Sequence, residues 1–159
     1  MATREELYAV LVSLAGDTLL LPNAAVAEVV SSERLQRPAD APAWLAGMLL
    51  YNSKPIPAVW FEVLNGSERP ETTRRTRAAV MQTFSGRVRA GQYAVICQGY
   101  PHLVTLNRTA LRKEPLVSTD HDELVLTRLS IANTNALIPN LEAIEARLAQ
   151  AEIAAASVG

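Results

Sequence analysis

At 159 residues, 49% of them hydrophobic, the chain has the size of one compact domain able to bury about 70% of its unfolded surface. Its formal net charge of −1 supplies no global field for a phosphate backbone or an anionic lipid surface, which argues against nucleic-acid and membrane-surface partners. The single cysteine, Cys97, excludes an intramolecular disulfide and a multi-cysteine zinc site, and it fits a reducing compartment.

Residues 1–6 are polar and include Glu5 and Glu6, unlike the basic start and apolar core of an export signal. The apolar runs 19–21 and 24–27 stop far short of the roughly 18 residues a membrane helix needs. A cytoplasmic protein with no membrane insertion is expected. From Leu7 to Leu14 both alternating sets of residues are largely apolar, as in a central strand covered on both faces. Ala15, Gly16, Asp17 and Thr18 supply turn chemistry before residues 19–21 resume the apolar run, which predicts a first hairpin.

Val26, Val29 and Val30 continue the β-rich pattern, followed by a charged, proline-bearing loop over 31–42 and a short helical turn around Trp44 that Gly47 ends. A strand over 48–51 is broken by Asn52, Ser53 and Lys54 before a second one over 56–64. Pro55 and Pro57 donate nothing to a ladder and are expected at edge or bulge positions. Short strands without long intervening helices indicate a small antiparallel barrel.

Residues 65–77 contain no large apolar side chain and so form an exposed, mobile connection. The second half starts with strands over 78–84 and 92–98 flanking the loop 85–91. It continues through 103–106, a polar segment, 124–131, a tight turn at Asn133, Thr134 and Asn135, and 136–138. Asn140 is placed to cap a final helix over 140–152, with Leu141, Ile144, Leu148 and Ala151 on one face. Glu142 and Glu145 lie in its first turns, where the macrodipole favours negative charge. The alanine-rich tail 151–159 is expected to fray.

The order of landmarks in the first half resembles the CheW-like domain, the coupling module of bacterial chemosensory arrays. The resemblance rests on Leu21 and Pro22, then Val26, Glu28 and Val29, then Pro42, Trp44 and Gly47, then Pro57 and Val59. In the second half residues 94–106, with Cys97, Gln98, Gly99 and Leu103, are similar in spacing to a strand and turn of that family, and the likeness extends over about residues 7–148. It implies a mainly β fold of two SH3-like five-stranded barrel subdomains with short helices and a C-terminal helix. The first barrel is expected over about 7–64, the polar link over 65–77, the second barrel over about 78–138 and the helix over about 140–152, all within a single domain of residues 1–159.

The same resemblance implies a non-enzymatic adaptor, without cofactor or metal, whose partners are a chemosensory histidine kinase regulatory domain and a chemoreceptor cytoplasmic tip. An accessory role in type IV pilus motility follows from departures from the family pattern. Where the family carries an asparagine, leucine, arginine, glycine tetrad, this chain reads Leu50, Tyr51, Asn52, Ser53. Asn52 thus stands in for the arginine thought to pair with the residue that Glu28 matches. Glu28 is left to reach solvent or to find another cation, Arg34 and Arg37 being nearest in sequence. Trp60 and Gln98 replace two family aspartates.

The expected partner-binding residues are Val26, Glu28, Val29, Leu49, Asn52 and Trp60. Trp60, with Tyr51 and Trp44, has two readings: core packing of the barrel, or an exposed aromatic anchor of the kind that dominates interface energetics. Arg74, Arg75 and Arg77 read either as a solvated linker or as a patch for an acidic partner. Two other functional classes stand beside the adaptor. One is a β-barrel module for a peptide or small ligand; the other is an enzyme using Cys97 and His102. Against the second, Cys97 lies in an apolar run that predicts an inert thiol, and the contiguous Asp120, His121, Asp122 and Glu123 diverge too much to share a metal.

Overall fold

The computed structural model describes residues 7–107, 111–117, 120–121, 123–131 and 133–158, with backbone alone for Leu7 and 153–158; the readings placed on residues 1–6 and on Asp122 lie outside them. The apolar segment at the start forms β1 (Leu7–Ser13) and β2 (Thr18–Pro22), a hairpin closed by the Leu14 amide donating to the Asp17 carbonyl at 2.8 Å. A 3-10 turn (Asn23–Ala25) leads into β3 (Val26–Ser31). Then come β4 (Leu45–Tyr51), β5 (Lys54–Val59) and the single-turn helix α1 (Phe61–Leu64). The second half contributes β6 (Thr76–Gln82), β7 (Gln92–Gln98), β8 (His102–Leu106), β9 (Leu111–Glu114), β10 (Val125–Ile131), β11 (Thr134–Pro139) and α2 (Leu141–Val158).

These strands do not divide at the polar link as the sequential reading expected. One sheet has the order β8-β1-β2-β11-β10-β9 and the other β3-β6-β7-β5-β4. The opening hairpin therefore belongs with the late strands, and β6 and β7 belong with β3, β4 and β5. The physical reason is the two-faced apolar character of β1 and β2. Ala9 and Leu20 point into one small core with Leu129, Ile131 and Ala136, while Val10, Val12, Leu19 and Leu21 point into another. A hairpin that must be covered on both faces sits inside the molecule and recruits β8 and β11 as neighbours.

The second sheet shows the same alternation. Ala78, Val80, Ala94 and Ile96 face a core with Leu49, Ile56, Ala58 and Trp60. Their neighbours Ala79, Met81, Tyr93, Val95 and Cys97 face the opposite way, into the large core shared with β1, β2 and α2. Each sheet thus curls around its own small core, and the largest core lies between the two sheets and the helix. Bulges between Val26 and Glu28, between Leu45 and Gly47, and between Val125 and Thr127 supply the bending.

Several local readings are corrected. The residues around Trp44 form a turn, with the Leu45 amide donating to the Pro42 carbonyl at 3.0 Å, and β4 begins directly after it. Gly47 lies within β4 at φ +151, where an added Cβ would sit 2.9 Å from the Gln36 carbonyl oxygen, so its role is close approach of the β3–β4 loop. The strand expected over 56–64 ends at Val59 and gives way to α1. β5 is an interior strand, but its register with β7 is confined to Ala58 and Val59, beyond both prolines. Thr134 and Asn135 lie in β11 opposite Ile131 and Ser130, leaving Asn133 at φ +68 as the turn residue. The polar segment after β8 contains β9, which its sequence Leu-Arg-Lys-Glu concealed.

Asn140 caps α2 as expected: its Oδ1 accepts the Ala143 amide at 3.2 Å and its Nδ2 donates to the Glu123 carbonyl at 3.1 Å. The helix continues to Val158, beyond the fraying point predicted from composition. Ile144 and Leu148 are buried in the shared core. Glu145 does more than complement the macrodipole. Fully buried, its carboxylate accepts the Phe84 and Ser85 amides at 3.0 and 3.1 Å and the Ser85 hydroxyl at 2.9 Å, which fastens the β6–β7 loop to the helix.

A second, partly buried ionic group ties the first sheet's turns together. Arg128 on β10 holds Asp120 through Nε at 2.6 Å and Nη2 at 2.8 Å, and Asp17 of the β1–β2 turn through Nη1 at 3.1 Å and Nη2 at 2.7 Å. Asp120 also accepts the Val117 amide at 3.0 Å and the Asn65 side chain at 3.2 Å. The Arg128 hydrogen bonds, working against burial, hold the Asp120 carboxyl down at about 2.

Two outcomes follow from this packing. Leu148→Ala removes a side chain buried at the junction of both sheets and should lower unfolding free energy by about 2 to 5 kcal/mol in urea titrations. Because folding depresses the Asp120 pKa, its contribution is present above the unfolded value near 4 and disappears as pH falls towards 2. The stability advantage of the parent over Asp120→Asn should therefore shrink by about 2 kcal/mol between about pH 5 and pH 2, read from urea midpoints at each pH.

Candidate functional site

β3 is an edge strand of the five-stranded sheet, and it carries three of the six expected partner-binding residues. Val26 and Val29 are half-buried against the shared core, and Glu28 between them is exposed. β4 forms the other edge. The Gln36–Met48 bridge, with amide-to-carbonyl distances of 3.0 and 2.7 Å, draws the segment after β3 towards β4 and curls the sheet.

That curl brings Tyr51, the last residue of β4, to Glu28. The Glu28 carboxylate hydrogen-bonded to the phenol, with burial and the carboxylate's charge behind it, holds the Tyr51 pKa above its usual value, while the Asn52 side chain pulls it down. The Tyr51 hydroxyl is thus the group on β4 that feels the Glu28 carboxylate. Among the described residues neither Arg34 nor Arg37 pairs with it, and the Arg37 guanidinium instead donates to the Ala41 and Pro42 carbonyls at 3.4 Å. Asn52 and Ser53 take φ values of 47 and 65 in the two-residue β4–β5 turn. Positive φ at both central residues is the geometry such hairpins require, and asparagine tolerates it better than arginine does. The residue at the family's arginine position is therefore chosen for the turn.

Leu49 and Trp60 stand apart from this group. They are 2% and 5% exposed and pack with Ile56, Val80 and Ile96 inside the second sheet. Of the two readings of Trp60, the core one holds, and neither side chain is an exposed anchor. The Arg69 guanidinium lies 6.0 Å from the Trp60 ring centroid.

The groups proposed for catalysis are scattered. Cys97 is buried and its thiol is pushed up to about 12 by desolvation, His102 is exposed on β8, and Asp120 is committed to Arg128. The His121 amide donates to the Asn65 side chain at 2.8 Å. A polar hollow of about 640 Å³ runs beside the β1–β2 turn, lined by Asp17, Asn65, Arg128 and Asn135. Its charged groups already satisfy one another through the Arg128–Asp17 pair. No helix among the described residues is long and apolar enough to cross a membrane.

The family model of the CheW-like domain matches residues 9–148, from the third residue of β1 into α2. The chain belongs to the CheW-like domain family. Its fold is similar to the crystal structure of scaffolding protein TtCheW from Thermoanaerobacter tengcongensis, with a TM-score of 0.71 and 16% sequence identity over 89% of this chain and 90% of that one. No curated protein matches the sequence. The two sheets and the C-terminal helix are the two SH3-like subdomains and helix of this CheW-like fold.

Sequence reasoning missed the approach of Tyr51 to Glu28, although its place beside the altered tetrad position was a signal. Arg128 and Glu145 carried none, because Asp17 lies 111 residues from Arg128, and Phe84 and Ser85 lie 60 or more from Glu145. A double-mutant cycle of Glu28→Gln with Tyr51→Phe should show a coupling of about 0.5 to 1.5 kcal/mol, as for a hydrogen bond to a charged group at a partly exposed site. Additive effects of the two changes would show that the pair is not formed.

Proposed function

We propose that this CheW-like protein is a non-enzymatic adaptor of bacterial chemosensory signalling, linking a chemoreceptor cytoplasmic tip to the regulatory domain of a histidine kinase in the cytoplasm. The observation that carries the reading is the family match, which spans strands of both sheets and reaches the helix. The likeness to a protein described as a scaffold supports the same class of activity. Adaptors act through surfaces, and the described chemistry-bearing side chains here serve the fold: Asp120 and Asp17 hold Arg128, Glu145 holds a loop, and the Cys97 thiol is buried.

The contact face on this reading is the edge strand β3 with the adjoining β4–β5 turn, with Glu28 and Asn52 exposed and Val26 and Val29 half-buried on the other side of the strand. Leu49 and Trp60 support it from beneath. Replacement of the family's arginine by a turn-forming Asn52, with Tyr51 taking over Glu28, changes the charge pattern of that face. This change supports an accessory member of a coupling set, as in systems that govern type IV pilus motility, over a standard coupling protein.

Glu28→Lys is the fold-sparing test, since the side chain is exposed. It should weaken capture of a purified kinase regulatory domain or receptor cytoplasmic fragment by about 1 to 2 kcal/mol in calorimetric titrations, with circular dichroism unchanged. Trp60→Ala is unsuitable as a binding probe, because emptying its buried site would cost about 3 to 5 kcal/mol of stability. A parent protein that binds neither fragment would refute the adaptor reading; equal binding by Glu28→Lys would move the contact face elsewhere.

A further inference from the structure

The three arginines at the start of β6 are held in place by the fold, although the sequence alone allowed them to be a solvated linker. The Arg75 carbonyl accepts the Gly99 amide at 2.6 Å, and the Thr73 hydroxyl meets the Gln98 side-chain oxygen at 3.2 Å, so the Arg74–Arg75 turn is stapled to the β7–β8 turn. The Arg75 guanidinium lies over Gly99, with Nη2 3.0 Å from where a Cβ would stand. Arg77 donates Nη1 to the Arg74 and Thr76 carbonyls at 2.8 and 2.9 Å, and its guanidinium carbon sits 5.7 Å from the centroid of the Tyr100 ring. Tyr100 is 65% exposed.

None of the three arginines forms an ion pair with a carboxylate among the described residues. This is a local concentration of positive charge on a chain whose net charge is −1. Two of the guanidiniums lie against the same turn, and the one bound to backbone carbonyls also faces an aromatic ring, so their side-chain freedom is already restricted before any partner arrives. We propose that Arg74, Arg75, Arg77 and Tyr100 form a docking surface for an acidic segment of a partner protein, one bearing aspartate or glutamate side chains.

The chemistry favours carboxylates on a short segment over a nucleic acid. A planar guanidinium presents paired N–H donors that match a carboxylate, as Arg128 does inside this molecule with Asp17 and Asp120. A long polyanion would extend past the patch onto a surface of net negative charge, and one exposed ring gives no ladder of stacking platforms for successive bases. The inference does not rest on the chemosensory reading, since it follows from the patch itself.

The test uses the full chain and a fluorescein-labelled octaglutamate peptide, with fluorescence anisotropy read at about 50 and about 300 mM salt. The parent should bind the peptide, more weakly at the higher salt. Arg74→Glu with Arg75→Glu, both in an exposed turn, should weaken binding at least about tenfold at low salt. Tyr100→Ala, which leaves all three charges in place but removes the ring beside Arg77, should weaken it by about two- to fivefold. No binding by the parent, or equal binding by the doubly reversed variant, would overturn the proposal. So would tighter binding of an eight-nucleotide single-stranded DNA than of the peptide, since the surface would then be a general polyanion site. If circular dichroism shows the double variant misfolded, Arg74→Gln with Arg75→Gln takes its place under the same criterion.

Discussion

The two-faced apolar hairpin β1–β2 is the constraint from which the rest of the architecture follows. A strand pair with one polar face can close a barrel from outside, but this one exposes apolar side chains on both sides and is stable only between two packed layers. Ala9 and Leu20 fill the interior of the first sheet, and Val10, Val12, Leu19 and Leu21 reach across to β6, β7 and α2. Satisfying both faces requires strands from the far end of the chain. The sheets therefore exchange segments across the polar link, and neither half of the sequence holds a complete set of strands. Removing either half would leave an apolar face of the hairpin or of β6 and β7 uncovered.

Buried polar groups then fix how the turns sit on this frame. Arg128 joins the β1–β2 turn to the segment before β10, and Glu145 joins the β6–β7 loop to α2; each satisfies several donors or acceptors with one charged side chain. The arrangement is economical but leaves neighbours with little choice. The Tyr93 hydroxyl, buried near Glu145, has no hydrogen-bond partner among the described residues, and burial together with that negative charge pushes its pKa upward. One oxygen of Glu62 is likewise buried without a partner, and desolvation raises its pKa. Such groups carry a penalty that the surrounding apolar packing must offset.

What the sequence made legible was local. The first hairpin, the loop between β6 and β7, the capped helix and its buried stripe were all written in period, turn residues and capping chemistry within a dozen residues. The partition of strands between sheets was hidden, because alternation tells which face a side chain takes but not which strand lies beside it. β9 was invisible for a related reason: an edge strand reading Leu-Arg-Lys-Glu owes its pairing to β10 and has no apolar alternation of its own. At the candidate site, Val26, Glu28 and Val29 do lie together on β3. Leu49 and Trp60 lie in the core, the reading left open for Trp60, because residue type cannot distinguish an apolar anchor from a core side chain. Only the closure of β3 towards β4 reveals that Tyr51, and not Arg34 or Arg37, comes under the influence of the Glu28 carboxylate.

The faces of β3 give the functional argument its geometry. Val29 pairs with Ala79 and Ser31 with Arg77, so Val29, Ser31 and Arg77 share the side of the β3–β6 ladder that faces the core shared with the first sheet. Glu28, paired with Val80, belongs to the opposite side, at the mouth of the barrel where Tyr51 meets it. Two residues along a strand is about 7 Å, so the half-buried apolar contact at Val29 and the positive end of the ladder at Arg77 lie within reach of a single docked segment. A partner that reads both would place an apolar side chain near Val29 and a carboxylate near Arg77, and reversing its direction would break that correspondence. On the proposed adaptor reading, charge asymmetry along the ladder would orient such a segment while apolar burial would supply its affinity.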